Sequence, residues 1–138
     1  MTAERRKLAR LLRLERVRAI AKASAASEAA RAETTLANLQ ALAARSRNLA
    51  ADYTGRSDAR DGAELRRLGV FAAGLHAVCR NTETDARRAQ AAADLRQGEL
   101  ANAERRRAAV EDRAAATSRE IDARAQTPIL SGRRKPRA

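Results

Sequence analysis

The residues of this chain that could do chemistry are few, and they do not converge. His76 is the single histidine and Cys79 the single cysteine, too few ligands for a zinc site, structural or catalytic. Phe71 and Leu75 stand around them, which places His76 beside an apolar stripe and Cys79 on it rather than among other ligands. A lone cysteine has nothing to pair with inside the chain, which fits a reducing compartment. Its position reads as that of a small buried hydrophobe, not a reactive thiol. Serines and carboxylates scatter without the concavity a substrate needs, and no glycine-rich phosphate loop occurs. The expectation is a protein that is not an enzyme, with no catalytic residue, cofactor, metal or small-molecule substrate.

Charge is the other chemistry on offer. The chain carries 29 Lys and Arg against 17 Asp and Glu, a net charge of +12, and lysine occurs only at positions 7, 22 and 135. Such an excess attracts something acidic: nucleic acid, anionic lipid or an acidic protein surface. Local partners exist at Glu83–Arg87 and Glu120–Arg124, and at Glu28–Arg31, Glu64–Arg67 and Glu104–Arg107. Each such pair contributes only about 0.2–0.5 kcal/mol. Much of the basic charge is left without a neighbour in sequence.

The elements that carry these residues follow from spacing. Leu65, Leu68, Ala72, Leu75, Cys79, Thr82, Ala86, Ala89, Ala93, Arg96, Leu100, Ala103, Arg107, Val110, Ala114, Thr117 and Ile121 are separated alternately by three and four residues. That repeat keeps one stripe facing a partner helix, as in a left-handed coiled coil. Before Gly55 a second segment ends in the same rhythm at Leu39, Leu42, Ser46, Leu49 and Tyr53. Its earlier apolar residues are Leu8, Leu11, Leu14, Val17, Ala21 and Ala25, and the stripe weakens between Ala21 and Thr35. Composition agrees: there is one Phe, one Tyr and no Trp, and alanine supplies 36 residues. At roughly 25 cal/mol per Å² an alanine methyl stabilises little, so a thin two-helix seam is available and a thick core is not.

These signals predict an all-α antiparallel two-helix hairpin over residues 1–127, with a helix at 3–53 capped by Thr2, a turn at 54–63 and a helix at 64–125. Glycine, serine and aspartate crowd the turn. Pro128 is expected to end the second helix, leaving a flexible basic tail at 128–138. Pairing between two chains instead of within one is equally compatible with such a stripe. Gly69, Gly74 and Gly98 fall inside the second helix, at a cost of about 1 kcal/mol each relative to alanine. Close approach of a partner is a second reading for Gly69 and Gly74, which flank the only Phe. No run of apolar residues is long enough to span a bilayer and no secretory signal opens the chain, so a cytoplasmic protein is expected.

The larger apolar residues gather around the turn: Leu42, Leu49 and Tyr53 before it, and Leu65, Leu68, Val70, Phe71, Leu75 and Val78 after it. Together with the basic, Arg- and Ala-rich hairpin, this resembles the FliJ-like stalk proteins of the bacterial flagellar type III export apparatus. Tyr53 matches the aromatic ending the family's first helix and Phe71 the Phe early in its second. Leu75 and Val78 match the apolar residues that follow. Leu49 and Thr82 depart from the pattern, Leu49 standing where the family often has an aromatic and Thr82 where it can have a His.

The resemblance implies a coupling part with two ends. The end bearing the termini would enter the export ATPase ring through Arg5, Arg6, Arg10, Arg13 and Arg16. The other end would contact the export-gate membrane protein through Tyr53, Phe71, Leu75 and Val78. Export chaperones are further implied partners, and the implied location is cytoplasmic and peripheral to the inner-membrane export apparatus. The competing readings are a basic helical nucleic-acid-binding protein and a generic coiled-coil scaffold. Nucleic acid ranks lower, because Asp and Glu alternate with the basic residues and no aromatic platform exists for bases.

Overall fold

A computed structural model describes residues 2–56 and 58–131. The chain is all-α, with α1 at Ala3–Thr54 and α2 at Gly62–Ser131 packed against each other as an antiparallel hairpin. Each helix starts where its sequence satisfies the free N–H groups of the first turn. The Thr2 hydroxyl accepts from Arg5 N at 3.3 Å, and the Asp61 carboxylate accepts from Glu64 N at 2.8 Å. Glu64 reaches back to Arg60 N at 3.1 Å, close to a capping box. At the other end of α1, Gly55 N donates to Ala51 O at 3.0 Å.

The second helix differs from expectation at its end. It starts two residues earlier than expected and runs through Pro128 to Ser131. Proline's fixed φ is itself helical, so a backbone can continue through it at the loss of one hydrogen bond. The rest of the expected tail, 132–138, lies outside the described residues.

Two compact units divide the chain, a terminal unit of Met1–Ala26 with Glu99–Ala138 and a loop unit of Ser27–Gly98. In the loop unit Glu33 meets Gln97, Arg47 meets Glu83 and Thr54 meets His76. Numbers fall along α1 as they rise along α2, so the two helices of this hairpin run antiparallel within one chain. In the terminal unit the same order holds, with Glu15 on Arg107 and Glu4 on Arg124.

Burial confirms the stripe on α2. Every predicted seam residue from Leu68 to Ile121 is buried or half-buried, and only Leu65, at the mouth of the loop, is exposed. On α1 the stripe is different from the one expected. It runs Glu4, Leu8, Leu11, Glu15, Arg18, Lys22, Ala25, Ala29, Ala32, Leu36, Leu39, Ala43, Ser46, Ala50 and Tyr53, all buried or half-buried. Leu14, Val17, Ala21, Leu42 and Leu49 are exposed, although the sequence reading placed them in the seam. The reason is continuity: the observed stripe keeps its alternating spacing from Glu4 to Tyr53, whereas the leucine-based one holds only locally.

The seam is built mainly from small side chains. Ala29, Ala43, Ala50, Cys79, Ala89, Ala93 and Ala114 are buried, with Ser46, Thr82 and Thr117 among them. Leu36 is the largest hydrophobic side chain buried among the described residues, packed with Ala89 and Ala93 and backed by Ala32 and Leu39. Small residues let two backbones approach closely, and alanine and arginine are strong helix formers. Buried threonine needs a partner for its hydroxyl. Thr82 donates within its own helix, to Val78 O and Cys79 O, both at 3.0 Å.

Candidate functional site

Two surfaces stand out once the seam is known. Label the seam positions of each helix a and d; the residues beside them are then e and g. Reversing one helix brings e beside e and g beside g. In the loop unit the e flank is polar, and all three cross-helix contacts named above join an e residue to an e residue. His76 is exposed, with Nε2 at 3.1 Å from the Thr54 hydroxyl. That hydroxyl donates to Ala50 O at 2.7 Å, so His76 Nε2 is the donor to it. His76 thus ties the end of α1 to α2, with Cys79 buried in the seam beside it.

Part of the g flank of the same unit is apolar, although Glu28, Thr35, Glu64 and Asp85 also lie on it. Leu42 and Leu49 occupy g on α1, while Phe71 and Val78 occupy g on α2. Their exposures are 45%, 45%, 49% and 47%, so both helices contribute equally to one open face. Val70 stands next to Phe71 at 74% exposure, and these two line a shallow cleft with Arg66 and Arg67. Phe71 meets Tyr53 edge-on with ring centroids 4.6 Å apart, and the Arg56 guanidinium lies 5.1 Å above the Tyr53 ring. Gly74 lies between Phe71 and Val78, where an added Cβ would meet nothing within 4 Å. The hairpin itself therefore gives no packing reason for this glycine.

The sequence-predicted gate residues divide across this geometry. Phe71 and Val78 lie on the open flank, whereas Tyr53 and Leu75 are half-buried seam residues. Leu42 and Leu49, read from sequence as seam, turn out to complete the flank. The signal that could have found them is the uninterrupted spacing through Ala43 and Ala50.

In the terminal unit the distribution is reversed, with charge in the seam as well as outside it. Arg5, Arg6, Arg10, Arg13 and Arg16 are all exposed. The carboxylates of this stretch of α1, Glu4 and Glu15, sit in the seam. Glu15 meets Arg107 at 3.5 Å, Glu4 meets Arg124, and Arg107 also reaches Glu111 at 3.4 Å. Arg18 lies in the seam too, with a buried Nε that has no hydrogen-bond partner. Of the intrahelical pairs read from sequence, Glu28–Arg31 forms at 3.5 Å, while Glu83 instead reaches across to Arg47 at 3.7 Å. Arg107 and Arg124 likewise find partners on the opposite helix.

Among the described residues no group of three His, Cys, Asp or Glu gathers as metal ligands, and no helix is long and apolar enough to cross a membrane. No protein-family model, curated protein or solved structure matches the chain.

Proposed function

We propose that this chain is a non-enzymatic coupling component of the bacterial flagellar type III protein export apparatus. Its terminal unit enters the export ATPase ring, and its loop unit contacts the export gate from the cytoplasmic side. The observation that carries the reading is the contrast in exposed chemistry between the units: Arg5, Arg6, Arg10, Arg13 and Arg16 crowd the terminal α1 beside its aliphatics, whereas Leu42, Leu49, Phe71 and Val78 form an apolar face on the loop unit. Exposed cations suit adaptable contacts to an acidic ring lumen, while apolar anchors suit a specific dock. Phe71, Val78, Leu42 and Leu49 supply the anchors, with Tyr53 and Leu75 supporting them from the seam.

The test is stimulation of the export ATPase by the whole chain. Reversing Arg10, Arg13 and Arg16 to Glu lowers stimulation while leaving helicity intact, and added salt does the same to the parent. A nucleic-acid-binding role is the reading to beat, because the exposed cations of α1 would serve it too. It requires micromolar duplex binding with a steep salt dependence. Such binding, with no effect on any ATPase, would replace the coupling reading.

A further inference from the structure

The outward face of α1 in the terminal unit has a composition that a ring contact does not require. Both carboxylates between Ala3 and Ala26 are turned into the seam and paired with arginines of α2. Apart from Ser24, what remains outside is cationic or aliphatic. Arg6, Arg10 and Arg13 surround a shallow depression floored by Ala3 and Ala9, and the Arg13 Nε donates to Ala9 O at 3.4 Å. Along the same face, Leu14, Val17 and Ile20 are exposed at 39%, 59% and 71%. Arg6, Arg13 and Ile20 share one heptad position, Arg10 and Val17 another, so the cations and the aliphatics form one stripe. From Arg6 to Ile20 it extends about 20 Å along the helix.

We infer that this stripe binds the surface of an anionic phospholipid bilayer. The guanidinium groups around the depression take lipid phosphates, and Val17 and Ile20, with Leu14 beside them, enter the boundary between headgroups and acyl chains. Phosphate binding alone would explain the arginines but not aliphatics this exposed next to them. A lipid interface uses both, and the polybasic part gives it a preference for negatively charged leaflets. The α2 side of the unit is unsuited to that role, because Glu104, Glu111, Asp112, Glu120 and Asp122 are exposed there. This inference goes beyond the coupling reading and needs no export component. Arg10 and Arg13 serve both, so Val17 and Ile20 are the residues that separate them.

The experiment is co-sedimentation of the full chain with vesicles of three parts phosphatidylcholine to one part phosphatidylglycerol, and with phosphatidylcholine alone. The parent binds the anionic vesicles at least about tenfold more tightly than the neutral ones. The double variant Val17→Ala, Ile20→Ala keeps every charge and has a higher helix propensity, so circular dichroism shows the parent's helicity. Its binding to anionic vesicles falls roughly tenfold. Reversing Arg10 and Arg13 to Glu abolishes vesicle binding. Failure of the parent to sediment with anionic vesicles overturns the inference. So does a double variant that binds them as well as the parent, which would leave only a polycation attracted to any phosphate, duplex DNA included.

Discussion

The two units share a fold but build their α1 seams from different side chains. In the terminal unit the α1 seam includes Glu4, Glu15, Arg18 and Lys22, while Leu12, Leu14, Val17 and Ile20 are left outside. The α1 seam of the loop unit carries no charge from Ala29 to Tyr53 and still leaves Leu42 and Leu49 outside. Charged pairs in a seam stabilise little when partly exposed but fix which residues face each other. Small apolar residues give close packing without that selectivity. Charged seam pairs thus help set register in the terminal unit, while in the loop unit small residues pack closely around Leu36. Leu12, Leu14, Val17 and Ile20 in one unit and Leu42 and Leu49 in the other lie outside the seams and are free to act on the surface.

The largest expected effect tests the packing half of that contrast. Leu36→Ala should lower stability by about 2–5 kcal/mol, read from denaturant or thermal unfolding, because Leu36 is the largest buried side chain of the loop unit. The same change at exposed Leu42 serves as its control. A loss below about 1 kcal/mol at Leu36 would mean that helix propensity, not the seam, holds the unit together.

A smaller effect tests the ionic half. Replacing Glu15 and Arg107 together by Leu should leave stability unchanged or raise it by about 1 kcal/mol, since a partly buried ion pair is readily replaced by packed hydrocarbon. Losing only Arg107 should destabilise, because the half-buried Glu15 carboxylate is left without its partner. If the double replacement is strongly destabilising, the pair contributes more to the seam than register.

On the open flank the effects are smaller again. Phe71→Ala should reduce stability by about 1 kcal/mol, the size of one edge-on aromatic contact, instead of the 3–5 kcal/mol of a buried Phe. Leu42→Ser with Leu49→Ser should shift melting by less than about 0.5 kcal/mol each. Gly74→Ala should move the other way, stabilising by about 1 kcal/mol, because the helix gains propensity and the new methyl meets open space.

Most of the fold was legible in the sequence because α2 repeats one spacing from Leu65 to Ile121, and a register held that long has no competitor. The cap at Thr2 and the turn chemistry around Gly55 and Asp61 were legible for the same local reason. On α1 the reading followed hydrophobicity instead of continuity. Leu42 and Leu49 outrank Ala43 and Ala50 as buriable residues, yet a seam facing Ala89, Ala93 and Cys79 takes small residues on both sides. Charged seam residues such as Glu15 and Arg18 were hidden too, because their partners lie on the other helix, far away in sequence. The exposed basic residues were legible directly from composition. The apolar flank was legible only in part, through Phe71 and Val78, because its other half depends on which way α1 is rotated.

If the two units present separate surfaces to separate partners, as proposed, paired variants should separate them. Arg10, Arg13 and Arg16 reversed to Glu form one variant; Leu49→Ser with Phe71→Ala forms the other. Binding of each to the export ATPase and to the cytoplasmic part of the export gate is measured in parallel. The account predicts a double dissociation, with the charge-reversed chain losing the ATPase and keeping the gate, and the flank variant doing the opposite by at least about tenfold, or 1.4 kcal/mol. Two variants that lose both partners together, or a flank variant that binds the gate as the parent does, would contradict it.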